Sequence, residues 1–71
     1  MPKLPSMTAR EVEVALRRAR FELGRQSGHR IWQKDDRTVP VPVHPGDIPK
    51  GTLRNIIELS GMTVEEFLDL R

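Results

Sequence analysis

The residues best suited to chemistry form the run Ser27-Gly28-His29-Arg30-Ile31-Trp32, where a small flexible pair precedes a lone histidine. An imidazole titrates near neutral pH, as proton transfer to and from ribose and phosphate oxygens requires. Gly28 adopts backbone angles closed to other residues and leaves room for a phosphate to approach. The run is therefore typical of a nuclease site with His29 as the catalyst, and the alternative is that His29 is an ordinary turn residue.

Backbone amides and side chains elsewhere are candidates for holding a phosphate. Ser27 and Gly28 can present their amides to an anion, as tight turns do, or simply form a hairpin turn. Lys50-Gly51-Thr52 combines free amides, a hydroxyl group and a charge at a predicted helix start. The equally favoured alternative is that Thr52 serves only as the helix cap. The cationic candidates for phosphate contacts, which would position RNA without reading its sequence, are Arg25, Arg30, Lys34, Arg37 and Arg54.

Two further residues have a functional and a structural interpretation. Trp32 either stacks on an unpaired base or packs in the core or at its rim, and in so small a domain packing is favoured. His44, within Val-Pro-Val-His-Pro-Gly, either complements His29 as the second acid or base or hydrogen-bonds its own turn, and the structural role is favoured.

The length of 71 residues predicts a single domain over residues 1–71, too small for a large substrate cavity. Catalysis would therefore take place on an open surface, which suits a polymer better than a metabolite. The chain has no cysteine and its two histidines lack a zinc-binding spacing, so we expect a reducing cytosol, no metal site and no cofactor. No segment is apolar enough for a signal peptide or a membrane span.

Charge is distributed unevenly along the chain. Residues 1–54 carry eleven Lys/Arg against six Asp/Glu, a net charge of +5, whereas residues 55–71 carry a net charge of −3. A basic body attracts phosphodiester chains through the release of condensed counterions. The alternative is a solvated face that only keeps the protein soluble.

Local patterns predict three helices and three strands. Two prolines in residues 1–7 indicate a flexible arm, and Thr8-Ala9-Arg10-Glu11 is a capping box that starts the first helix. The first strand begins at Phe21-Glu22-Leu23, the second runs from His29 to Lys34, and the third runs from Thr38 to Val43 after a turn at residues 35–37. Because the prolines at positions 40 and 42 cannot donate to a ladder, the third strand is expected to lie at an edge or to pair only through its non-proline amides.

The remaining chain reads as two helices. A second helix starts at Gly51 or Thr52 and ends at Gly61, and Thr63-Val64-Glu65-Glu66 caps a short final helix. The economical architecture is an α+β fold with one three-stranded antiparallel sheet covered on one face by the helices.

Four segments in this order resemble the HicA family, the small RNA-cleaving toxins of prokaryotic toxin–antitoxin pairs. They are Ser27-Gly28-His29-Arg30-Ile31-Trp32, Val41-Pro42-Val43-His44-Pro45-Gly46, Lys50-Gly51-Thr52-Leu53-Arg54 and Gly61-Met62-Thr63-Val64-Glu65-Glu66-Phe67. The resemblance extends from about Thr8 to Leu70. It implies a compact version of the double-stranded-RNA-binding fold.

The resemblance also implies a function. It implies cytoplasmic mRNA interferase activity with His29 as the catalytic residue, and a HicB antitoxin that blocks the site. Two alternatives remain open on the sequence alone: a non-catalytic RNA-binding module of the same fold, and a protein-interaction domain whose basic face binds an acidic partner.

Overall fold

A computed structural model describes residues 3–26, 29–43 and 45–71, without the side chains of residues 25 and 26. The elements are α1 (Ala9–Arg18), β1 (Glu22–Gln26), β2 (His29–Lys34), β3 (Arg37–Pro42), α2 (Lys50–Ser60) and α3 (Val64–Asp69). Within these residues, no helix has the length and hydropathy needed to cross a bilayer.

Local capping interactions set the start of α1, the end of α2 and the start of α3, as the sequence predicts. The start of α2 differs, because the helix begins at Lys50 rather than at Gly51 or Thr52. The Oγ1 of Thr8 accepts from the amide of Glu11 at 3.2 Å, and the Glu11 carboxylate accepts from the Thr8 amide at 2.9 Å. Thr63 and Glu66 form the same reciprocal pair at the start of α3. Gly61 ends α2 with φ 79°, a left-handed conformation that favours glycine.

The three strands form one antiparallel sheet in the order β1-β2-β3, so that β3 is an edge strand as predicted. The bounds of β2 agree with the prediction, whereas β3 starts one residue earlier than expected. Asp35 has φ 53° and turns the chain tightly enough for Arg37 to pair with Lys34. The turn therefore needs only residues 35 and 36.

The core lies between one face of the sheet and the helices. Alternation along the strands places Trp32, Val39 and Val41 on this face, where all three are buried. Their partners from the helices are Val12, Ala15, Leu16, Leu53, Ile56, Ile57 and Phe67. The α+β class and the helix-covered sheet are confirmed, and the element order fits the compact fold implied by the resemblance.

The N-terminal segment differs from the expected flexible arm. Met7 is fully buried and Leu4 is 5% exposed, and both belong to the core. The Met7 carbonyl accepts from the Ile48 amide at 2.8 Å, and Thr8 forms a β-bridge with Asp47. Burying a large apolar side chain is worth about 1.5–3 kcal/mol, so Leu4 and Met7 hold this segment against the core.

Candidate functional site

His29 is the first residue of β2, and its side chain is exposed. It lies opposite Pro42 of β3 in the sheet register. Because side chains alternate along a strand, His29 and Ile31 point to the face opposite that of Arg30 and Trp32. The histidine thus stands at an open end of the sheet, accessible to a large substrate.

A cleft of about 490 Å³ joins His29 to the first turns of α2. Three prolines contribute to its walls, two from β3 and Pro49 from the segment before α2. The helix adds two polar residues and one apolar residue: Thr52, Asn55 and Ile56. Among the residues that the structure describes, no Lys, Arg, Asp or Glu lines this cleft.

The start of α2 has no side-chain cap. Pro49 is the N-cap residue, and its carbonyl accepts the first helical hydrogen bond from Leu53 at 2.9 Å. The amides of Lys50, Gly51 and Thr52 precede that bond and have no acceptor within the helix. Thr52 lies inside the first turn, so the interpretation of Thr52 as the cap is wrong, and Lys50 is exposed beside the free amides.

Arg30 and Trp32 lie on the helix-covered face and share one carboxylate. Oε2 of Glu13 on α1 forms an ion pair with Nε of Arg30 and accepts from the indole Nε1 of Trp32 at 2.9 Å. Trp32 is 1% exposed, and the guanidinium of Arg17 lies 5.4 Å from its ring centroid. Trp32 therefore offers no open ring face to a base, and the Glu13 carboxylate compensates the charge of Arg30.

Two other cationic side chains donate to backbone carbonyls at the C-terminal ends of helices. Nζ of Lys34 donates to the carbonyl of Ala19, the C-cap of α1, at 2.8 Å. Arg37 donates to the carbonyl of Leu59 at the end of α2 at 3.5 Å. These bonds complement the negative end of a helix. Lys34 also lies five residues along β2 from His29, about 17 Å away, so it is not part of the cleft.

The predicted site residues therefore separate into groups. His29 and Thr52 line one cleft, and Lys50 is exposed at the start of the same helix. Arg54 is exposed on α2 but does not line the cleft. The structure places the other predicted contacts on the helix-covered face or at the far end of the sheet; they are Arg30, Trp32, Lys34 and Arg37. Ser27, Gly28, His44 and the side chain of Arg25 lie outside the described part of the chain.

The sequence analysis did not identify Asn55, which lines the cleft beside His29. A signal existed, because Asn55 follows Thr52 by three positions on a predicted helix and such residues share a face. What the sequence does not contain is the packing of α2 on β3, which brings that face into one cleft with His29.

The described residues contain no group of three or more His, Cys, Asp or Glu that is placed to hold a metal ion.

Comparison with curated proteins gives no significant match. A family model described as the HicA toxin of bacterial toxin–antitoxin matches residues 9–62, well over half of the chain. The matched region includes α1, the whole sheet with His29, and α2 with its part of the cleft. The chain therefore belongs to the HicA toxin family and is the toxin of a bacterial toxin–antitoxin pair.

Proposed function

We propose that this toxin is an endoribonuclease that cleaves mRNA and that His29 is its catalytic residue. One observation carries the proposal: in a chain of the HicA toxin family, the exposed His29 shares a cleft with the uncapped start of α2. An open surface site of this kind accepts a long polymer, because nothing in the described chain encloses it.

His29 can act at either end of a transesterification. As a general base it takes the proton of a ribose 2′-hydroxyl, whose oxygen then attacks the adjacent phosphorus while the bond from phosphorus to the 5′-oxygen breaks. As a general acid it instead gives its proton to the departing 5′-oxygen. The products are a 2′,3′-cyclic phosphate and a 5′-hydroxyl. General acid–base catalysis is worth about 10²–10⁴-fold in rate and needs neither a metal nor a cofactor.

The groups that would position the RNA lie on α2 and directly before His29 in the sequence. The free amides at the start of α2 and the charge of Lys50 favour an anion there, and Ser27 and Gly28 would add backbone amides from the turn before β2. Arg54, exposed on the same helix, would contact a more distant phosphate of the same strand.

The antitoxin of the pair is, in this proposal, a HicB-like protein that covers His29. A toxin with an open site is most simply inhibited by occlusion, and carboxylates on the partner would pair with the free cations near α2. The acidic residues of α3 are far from this contact, because Arg18 at the end of α1 donates to the carbonyls of Leu70 and Arg71. That end of α1 meets Lys34, at the opposite end of β2 from His29.

The decisive experiment is digestion of a long unstructured RNA in the presence of EDTA by wild type and the His29→Ala variant. We expect the variant to lose cleavage by at least about 100-fold and to lose growth inhibition as well. Its free energy of unfolding should change by less than about 0.5 kcal/mol, because His29 is exposed. Gln33→Ala is the control, since it alters another exposed residue of β2 on the same face of the sheet.

The other outcomes select between the alternatives. Cleavage by His29→Ala at the wild-type rate would show that another group is the catalyst. If wild type binds RNA without cutting it, the protein is a non-catalytic RNA-binding module. If it shows no affinity for RNA even at low salt, it is a protein-interaction domain that binds its antitoxin alone.

A further inference from the structure

The cleft beside His29 has a composition that suits a neutral ring better than a phosphate. Its walls are mainly apolar, with three proline rings and Ile56, and no Lys or Arg among the described residues lines it. A phosphate inside these walls would lack a side-chain counter-charge, which Lys50 supplies only outside the cleft. A nucleobase is uncharged, has two apolar faces and carries its polar groups only at the edge, and proline is among the side chains that contact unstacked bases.

Two neutral polar side chains face this cleft from α2. Thr52 and Asn55 are three residues apart on the helix, and both are exposed. The Asn carboxamide offers two N–H donors and a carbonyl acceptor in one plane. Adjacent donor and acceptor groups on the edge of a base can pair with it in the bidentate manner that Asn uses with adenine in DNA. Ligand sites commonly combine apolar walls with a few such orienting groups.

We propose that this cleft binds an unpaired base next to the scissile phosphate, and that Asn55 determines which base is preferred. The inference rests on the proposed function, because it assigns a base-binding role to part of the same site. The base would lie against the proline rings, with its edge toward Asn55 and its ribose toward His29. Only an unpaired base can enter, since the faces of a base in a duplex are stacked against its neighbours and cannot lie against the proline rings.

The preference should be modest. A good bidentate pair discriminates by about 5- to 150-fold against the wrong base. Asn55 is exposed, so water competes for its hydrogen bonds, and we expect a value near fivefold. Removal of the Asn55 carboxamide should therefore reduce the preference for one base more than it lowers the total rate of cleavage.

The first test is to map the cleavage sites of wild type, Asn55→Ala and Asn55→Asp on an RNA pool of randomised sequence. Wild type should favour one base beside the cut by about fivefold. Asn55→Ala should bring this ratio close to one, and Asn55→Asp, which only accepts hydrogen bonds, should shift it toward cytosine with its amino group. Gln33→Ala removes a comparable carboxamide about 13 Å along β2 from His29 and should leave the ratio unchanged.

A second measurement separates this inference from the proposed function. Dinucleotides whose 5′ nucleotide lacks the 2′-hydroxyl have no nucleophile and cannot be cut, and their binding can be followed by NMR shifts of cleft residues. If wild type fails to cut RNA, the proposed function fails, yet weaker dinucleotide binding by Asn55→Ala would still support the cleft as a base site. The inference is overturned if wild type has no base preference, or if Asn55→Ala keeps both the wild-type preference and the wild-type dinucleotide affinities.

Discussion

The indole Nε1 of Trp32 donates to Oε2 of Glu13 at 2.9 Å, and this bond joins the middle of β2 to α1. The same oxygen forms the ion pair with Arg30, two residues earlier on the strand. Glu13 thus satisfies a buried donor and a partly buried cation at once, with 18% of its own side chain exposed. The bond fixes β2 on the helix, and His29 stands at the start of that strand.

Glu13→Ala should destabilise the protein by about 2 kcal/mol, because it leaves the buried Trp32 N–H without an acceptor and Arg30 without its counter-charge. Urea unfolding followed by Trp32 fluorescence measures this change. Glu22→Ala, which removes an exposed carboxylate from β1, should cost less than about 0.5 kcal/mol. Equal losses for the two variants would mean that the carboxylate shared by Arg30 and Trp32 contributes nothing to stability.

Two glycine substitutions, one in α2 and one directly after it, should change the free energy of unfolding in opposite directions. Gly61→Ala should destabilise by about 1–2 kcal/mol, because an alanine at φ 79° is strained and its Cβ would lie 2.5 Å from Cζ of Arg37. Gly51→Ala should stabilise by about 0.5 kcal/mol, since the site is helical and nothing lies within 4 Å of the added Cβ. The free energies of unfolding of both variants in urea check the pair. Stabilisation by Gly61→Ala would contradict the left-handed C-cap.

RNA affinity should fall steeply with salt, with a log–log slope of about −0.7 for each phosphate contacted on a single strand. Lys50→Gln should flatten the slope by somewhat less than one unit. Arg30→Gln should change it much less, because Glu13 already pairs with that guanidinium. Fluorescence anisotropy of an RNA that is not cleaved, measured at several salt concentrations, gives both slopes. An equal flattening by the two variants would show that Arg30 leaves Glu13 to bind phosphate.

The antitoxin should protect β2 near His29 and the start of α2 from amide hydrogen exchange. The expected protection lies at the His29 end of residues 29–34 and across residues 50–54, because a partner that occludes the cleft must cover both of these elements. The exposed acids of α3, Glu65, Glu66 and Asp69, should lie outside the contact or at its rim. The measurement compares amide exchange in the free toxin with amide exchange in its complex with the HicB-like antitoxin. Protection confined to residues 60–71 would show that the antitoxin inhibits the toxin without covering the cleft.

Interactions between residues close together in the sequence determined where the helices and strands form. The capping pairs Thr8–Glu11 and Thr63–Glu66 involve residues three positions apart, and Gly61 acts through its own backbone angle. The strand from His29 to Lys34 follows from its alternation and from the turn residues on either side. Interactions of this kind need no distant partner, so the order of elements and the α+β class could be predicted from the chain alone.

Only the tertiary structure decided which polar residues are free to act. Arg30 and Trp32 contact Glu13, which is seventeen and nineteen positions away, and Lys34 bonds the end of α1 fifteen positions away. Asn55 joins His29 in one cleft only because α2 packs against β3, the strand next to β2 in the sheet. Sequence pattern specifies which face of an element is apolar, but not which charge meets which partner once those faces are buried. The residue types of the candidate site were readable in the chain, while packing decided which of them lie together.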